Sequence, residues 1–172
     1  HEFYRFFVDN GASSWWINGV KTTILVTLLA LVIGVILGGI VGMIRSIHQQ
    51  TGKLKILNGI SMVYLTIIRG TPSMIQILIF YSIVFASVSL NNIIIGGIAF
   101  GINSGAYVAE IIRSGIMSVD KGQTEAGRSL GLSSGQTMKM IILPQAVKNV
   151  LPALINEMIV LLKETAIIGY IG

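Results

Sequence analysis

The sequence predicts an all-α, polytopic membrane protein, and composition, pattern and one unusual segment carry that expectation. Of 172 residues, 53% are hydrophobic and 11% charged, and the mean hydropathy is +0.80, values foreign to soluble domains. Apolar runs of bilayer-crossing length recur along the chain with short polar stretches between them. One longer polar segment, Asp120 to Pro144, separates the last two runs and reads as ordered helix rather than tether.

Several function classes are excluded at once. The chain has no cysteine, so disulfides, thiol catalysis and thiolate metal sites fall away. His1 and His48 stand far apart outside the spans and offer no metal cluster. The net charge of +5 is spread through loops without interleaved aromatics, so no nucleic-acid partner is expected. No G-x-x-x-x-G-K-[ST] stretch occurs, and no nucleophile, base and oxyanion donors converge, so neither ATP binding by that route nor an enzyme is expected.

Residues 1–17 are rich in aromatics, including Trp15 and Trp16, and are expected to lie at the membrane interface as an anchor or a docking element. No cleavage-site pattern follows them, so a signal peptide is not expected. Asn18 to Ile44 forms the first span. Its Gly34, Gly38 and Gly42 share one helix face and allow a neighbouring helix to approach closely. Arg45 to Lys55 reads as a short basic connection.

Ile56 to Leu90 is too long for one straight span and too short for two with a loop, and its break falls at Arg69-Gly70-Thr71-Pro72. With Thr71 as cap and Pro72 in the first helical position, a short helix near the membrane surface precedes a span from about Pro72 to Val88. Asn91-Asn92 then turns the chain into a third span, Ile93 to Met117, where Gly97, Gly101, Gly105 and Ala109 repeat the close-packing stripe. This helix also carries Asn103, Ser104, Tyr107, Glu110 and Arg113, polar groups that at membrane depth face a cavity or a partner. Glu110 and Arg113, three residues apart, can pair on one face as a brace or as part of a gate.

The segment 118–148 reads as a folded loop. Asp120 and Gln123 have capping-box spacing, a short helix through Glu125, Ala126, Arg128 and Leu130 can follow, and Gly131 suits its left-handed end. Ser133 or Ser134 can cap a second helix that stops at or before Pro144. Ala146 to Tyr170 is the fourth span, begun near Pro152. On it Asn156 and Lys163 share one face, as do Glu157 and Glu164, each pair seven residues apart. These groups cannot all face lipid; they look into a translocation cavity or join an ion-pair network between helices.

Counting Lys and Arg orients the chain. Arg45, Lys53, Lys55, Arg69, Arg113, Lys121, Arg128, Lys139 and Lys148 fall on one side if the spans alternate, and Arg5 and Lys21 on the other. The positive-inside rule then places the helical loop in the cytoplasm and the N-terminus outside.

Glu125-Ala126-Gly127, three residues, Gly131, nine residues and Ile141-x-Leu143-Pro144 have the spacing of the EAA loop of ABC-importer permease subunits. Arg69-Gly-Thr-Pro72, the run Asn103 to Arg113, Asn156-Glu157 and Lys163-Glu164-Thr165 resemble the polar amino-acid branch of that family, the histidine, glutamine and arginine type. The resemblance runs from about Trp16 to the end. It departs at Gly127, where the family has alanine, a change expected to loosen the short helix by roughly 1 kcal/mol.

The resemblance implies a MetI-like permease helical bundle in a bacterial cytoplasmic (plasma) membrane, with a fifth span after the Lys-Glu-Thr segment, so that a truncated subunit is expected here. Its implied partners are an ABC ATPase subunit carrying ATP and Mg, a second permease copy or homologue, an extracytoplasmic substrate-binding protein and a polar amino-acid substrate, with no cofactor on this chain. Glu125, Ala126, Gly127 and Gly131 are the expected ATPase-coupling residues. Glu157, Glu164, Asn103 and Ser104 are the expected solute contacts, and Arg69, Glu110, Arg113 and Lys163 a gate or brace. Two rival functions fit the broken helices and intramembrane charges: an ion-coupled secondary transporter and a non-transporting membrane scaffold.

Overall fold

The computed structural model describes residues 12–166, which form helices without a strand among them. In chain order these are α1 (Ala12–Thr51), α2 (Lys55–Gly70), α3 (Ser73–Ile79), α4 (Asn92–Met117), α5 (Lys121–Ser129), α6 (Ser134–Thr137) and α7 (Leu143–Glu164). A wide π turn, Phe80–Val84, continues α3, and a second, Met138–Ile142, joins α6 to α7. Among the described residues three helical runs are long and apolar enough to cross a membrane: Ser13–Thr51, Asn92–Met117 and Ser134–Glu164. The bent pair Lys55–Gly70 and Ser73–Val84 has the combined length and apolarity of a broken span or a re-entrant loop.

α1 is longer than its apolar run. It takes in the tail of the expected interfacial segment and the expected basic connection, and ends only at Thr51. Arg and Gln are good helix formers, and nothing between Met43 and Thr51 breaks the ladder. The stop comes from Gly52, whose positive φ of 68° turns the chain while its N–H reaches the His48 carbonyl at 2.8 Å. At roughly 1.5 Å per residue, 40 residues exceed a hydrocarbon core of about 30 Å, so its basic end projects beyond the apolar slab.

The two glycine stripes meet each other. A Cβ at Gly38 would lie 2.6 Å from Val108 Cβ and 2.8 Å from the Gly105 carbonyl, and one at Gly42 2.7 Å from the Ala109 carbonyl. From the other side, a Cβ at Gly101 would lie 2.7 Å from Ile33 Cβ. Backbone thus rests on backbone along the α1–α4 seam, with Val26, Ala30, Ala99, Phe100, Ala106 and Ala109 buried in it.

α2 packs on the bundle through Ser61, Leu65 and Ile68, while most of its other residues stay exposed. The Tyr64 hydroxyl donates to the Ile102 carbonyl at 2.6 Å. The break after α2 is a bend of 106°. Thr71 does not cap α3; it ends α2, and its hydroxyl donates back to the Ile67 carbonyl at 2.9 Å. The residue before α3 is Pro72 itself, which has no side-chain acceptor to offer.

The helix after Ser133 does not stop at Pro144, nor does a new one begin near Pro152; one run continues from Ser134 to Glu164. The π turn explains the passage. Leu143 N–H bonds the Met138 carbonyl, which shifts the ladder by one residue just where proline lacks a donor and crowds the turn before it. The Gln145 amide meets the Ile141 carbonyl at 3.0 Å. Residues 1–11 of the expected interfacial segment and the end of the expected fourth span, 167–172, lie outside the described residues.

Candidate functional site

Asn103 and Ser104 are neighbours on α4, and the roughly 100° step of a helix sends their side chains to different partners. The Ser104 hydroxyl donates to Glu157 Oε1 on α7 at 2.8 Å, both side chains being buried. Glu164 lies two turns along the same face of α7, half-buried. Neither carboxylate forms an ion pair among the described residues. Asn156 and Lys163, the other polar pair on α7, are exposed on the isolated chain.

Asn103 instead turns to the elbow. Its Nδ2 donates to Gln76 Oε1 at 2.9 Å. The Gln76 amide in turn donates to the Ile68 carbonyl at 2.7 Å, the Thr71 carbonyl at 2.9 Å and the Thr71 hydroxyl at 2.6 Å. One side chain, 7% exposed, therefore satisfies carbonyls stranded by the bend. Of the four expected solute contacts, the structure joins Ser104 to Glu157, sets Glu164 beside them, and ties Asn103 into a different network. Gln76 escaped sequence reading although a lone glutamine inside Met74-Ile-Gln-Ile-Leu was a usable signal.

Glu110 and Arg113 do pair, through both guanidinium and carboxylate edges. The pair is larger than expected: Arg45 Nη1 of α1 donates to Glu110 Oε2 at 2.7 Å, and Arg113 Nη1 reaches Gln49 at 3.0 Å. One carboxylate thus clips α1 to α4 with two guanidinium groups. Arg45 was passed over because its run read as a loop. Arg69 stacks over the Tyr107 ring at 5.6 Å, a cation–π contact between exposed side chains.

The polar segment folds into two short helices set against each other. Asp120 caps α5 by accepting from Gly122 N–H at 2.6 Å, not by an exchange with Gln123, whose side chain instead accepts from Gln145 at 3.2 Å. The capping box stands at Ser133 and Gln136. Gly131, at φ +80°, closes α5: its N–H bonds the Arg128 carbonyl, and Leu132 N–H bonds the Gly127 carbonyl at 3.1 Å. That is a complete Schellman ending. Glu125 and Ala126 are exposed, and Glu125 borders a 560 Å³ cleft with Gln49, Gln50, Lys121 and Thr137. Gly127 is the buried residue of α5. A Cβ there would sit 2.7 Å from Thr137 Cγ2 and 2.9 Å from Ile141 Cδ1, so the missing methyl lets α5 lie against the following turn. The substitution of glycine for alanine is a packing feature as well as a loss of helix propensity.

Residues 34–172 match the family of binding-protein-dependent transport system inner membrane components. The chain belongs to this family. As an inner membrane component it is a multi-pass transport protein, and the MetI-like helical bundle is its fold. It is 45% identical over 150 residues to the putative glutamine transport system permease protein GlnP of Rickettsia prowazekii, covering 86% of this chain and 68% of that one. It is 44% identical over 111 residues to the arginine transport system permease protein ArtQ of Bacillus subtilis, covering 63% and 51% respectively. The crystal structure of an amino acid ABC transporter with histidines superposes with a TM-score of 0.84 at 41% identity, over 97% of this chain and 76% of that one. The ion-coupled rival finds no support in these matches.

Proposed function

We propose that this inner membrane component is the permease subunit of an ATP-driven importer of polar amino acids. The observation that carries the substrate side is the Ser104–Glu157 contact, a buried carboxylate held by one hydroxyl between α4 and α7 with Glu164 on the same face. Inserting an unpaired carboxylate at membrane depth costs about 2.5–3.5 kcal/mol, and one hydrogen bond to a charged group returns about 1.5–3 kcal/mol. Two carboxylates with one hydroxyl between them therefore favour a cationic group arriving from outside the chain, such as a substrate ammonium. The names of the relatives, glutamine and arginine permeases, agree with a polar amino acid.

The segment 118–148 is the coupling loop, on the cytoplasmic side by the distribution of Lys and Arg. Glu125 and Ala126 on exposed α5 meet a separate ATPase, which carries ATP and Mg, while Gly127 and Gly131 shape the helix that presents them. Trp15 and Trp16, at the start of α1, anchor the subunit at the opposite interface, and a substrate-binding protein delivers the solute there. A second permease copy or homologue completes the pathway. Movement of α7 against the α1–α4 frame changes access to Glu157, driven by the difference in binding energy between the two states of the ATPase pair.

The test is reconstitution of the permease with its ATPase and binding protein in proteoliposomes. Glu157→Gln is expected to lower uptake of a cationic amino acid by tenfold or more, to spare a neutral one, and to leave ATPase association intact. Glu125→Ala is expected to insert normally but to detach or uncouple the ATPase. Unchanged uptake of every substrate in the first variant, or normal assembly and transport in the second, sinks the corresponding role.

A further inference from the structure

At the basic end of the bundle, the last turns of α1, the first turn of α2 and the last turns of α4 enclose a cleft of 490 Å³ lined by Arg45, His48, Gln49, Asn58 and Arg113. No apolar side chain lines it, which is unusual between helices of so greasy a chain. Two guanidinium groups open on it, and both lean on the single carboxylate of Glu110. The cluster therefore keeps an excess of positive charge. Lys53 and Lys55 add positive charge on the connecting turn and at the start of α2. Arg45 Nε is buried and has no acceptor among the described residues. His48 is anchored in place by Nδ1 against the Lys53 carbonyl at 2.7 Å.

We infer that this cleft binds a phosphate-bearing anion, with the headgroup of an acidic phospholipid as its source. Guanidinium forks match phosphate oxygens in geometry as well as charge. A basic pocket between spanning helices at the cytoplasmic interface is where such headgroups are concentrated. Arg45 then satisfies one anion within the protein, Glu110, and a second from the bilayer, so the lipid reinforces the clip between α1 and α4. The inference rests on the sidedness proposed above and not on the identity of the transported solute.

The experiment uses the full-length permease in its complex, extracted in detergent with equimolar phosphatidylglycerol and phosphatidylcholine. Retained lipid is read by native mass spectrometry, with and without excess inorganic phosphate. Asn58 lines the cleft but takes no part in the Arg45–Glu110–Arg113 clip. Phosphatidylglycerol is expected to be retained roughly five- to tenfold over phosphatidylcholine. Asn58→Asp is expected to abolish that preference and Asn58→Lys to keep or raise it. Displacement of lipid by inorganic phosphate would support the phosphate chemistry and move the source to solution. Equal retention of the two lipids by the unaltered protein, or an undiminished preference in Asn58→Asp, overturns the inference. Uptake measured on the same preparations keeps the two readings separable, since failed amino-acid transport with intact lipid preference would count only against the proposed substrate.

Discussion

α4 and α7 are both bilayer-length helices, and they are held very differently. In the most apolar window of the α4 run, 67% of residues are buried inside the chain; in that of the run containing α7, 22% are. α4 meets α1 backbone to backbone through two interleaved glycine stripes, is clipped to it by Arg45 and Glu110, and is tied to the α3 elbow through Asn103. α7 touches this frame through side chains, among them Leu161 in the cluster with Val26, Ala30 and Phe100, Val150 over Gly115, and Glu157 on Ser104. Its entry passes through a π turn, and Pro152 sits in its interior. Close backbone packing tolerates few alternative arrangements, whereas side-chain contacts can re-form after a shift. The frame is accordingly α1 with α4, and α7 is the more loosely held helix.

The sharpest way to break that contrast is to add the same methyl group on either side of it. At Gly38 the new Cβ would meet the Gly105 carbonyl at 2.8 Å and Val108 Cβ at 2.6 Å, atoms that cannot turn away. With backbone and Cβ atoms in the way, overpacking falls at or above the top of its usual range of about 1–3 kcal/mol; less the roughly 1 kcal/mol gained in helix propensity, Gly38→Ala is expected to lose about 2 kcal/mol or more. Thermal unfolding in detergent would show it, and an unchanged midpoint would mean that the seam is not rigid.

Gln76→Leu comes next, with an expected loss of about 1–3 kcal/mol from carbonyls left unsatisfied in a near-isosteric background. Hydrogen exchange should rise around Ile68 and Thr71 while the amides of the α1–α4 seam stay protected. Exchange rising equally along α4 would show that the elbow and the frame are one unit.

Gly115→Ala is the counterpart of Gly38→Ala. There the crowding atom is a methyl of Val150, and the next contact, the Ala146 carbonyl, stands at 3.5 Å. Val150 Cγ2 would lie at 2.1 Å, closer than any atom at Gly38, so the methyl fits only through a shift of α7 or Val150 of roughly 1 Å or more. A helix held by side chains can make that shift, and the loss should be smaller than that of Gly38→Ala. A loss as large as that of Gly38→Ala would put α7 in the frame after all.

The smallest effect expected is at Gly127. Here a propensity gain of about 1 kcal/mol for alanine is offset by the clash with Thr137 Cγ2 at 2.7 Å, leaving Gly127→Ala neutral to slightly destabilising. Adding Thr137→Ser removes that methyl and should turn the balance toward stabilisation, measurable as a rise in unfolding midpoint of the double variant over Gly127→Ala alone. No rise would place the limiting contact at Ile141 instead.

The sequence by itself determined the class and the seam. Hydropathy and length leave little choice of architecture where backbone groups must be satisfied inside each segment, and glycines at helical spacing announce where another backbone must come. Gly131 and Ser133 were equally legible, because a left-handed turn and a helix cap are set by residues a few positions apart. What only the tertiary structure decided were the partners reached across long gaps in sequence. Arg45 finds Glu110, Gln76 finds Asn103 and the carbonyls of the elbow, and Ser104 finds Glu157. The same holds for the helix that runs on through Pro144 and Pro152. Local rules stop a helix at a proline, and only the packing of α7 on α4, with a widened turn to absorb the missing donor, makes it continue.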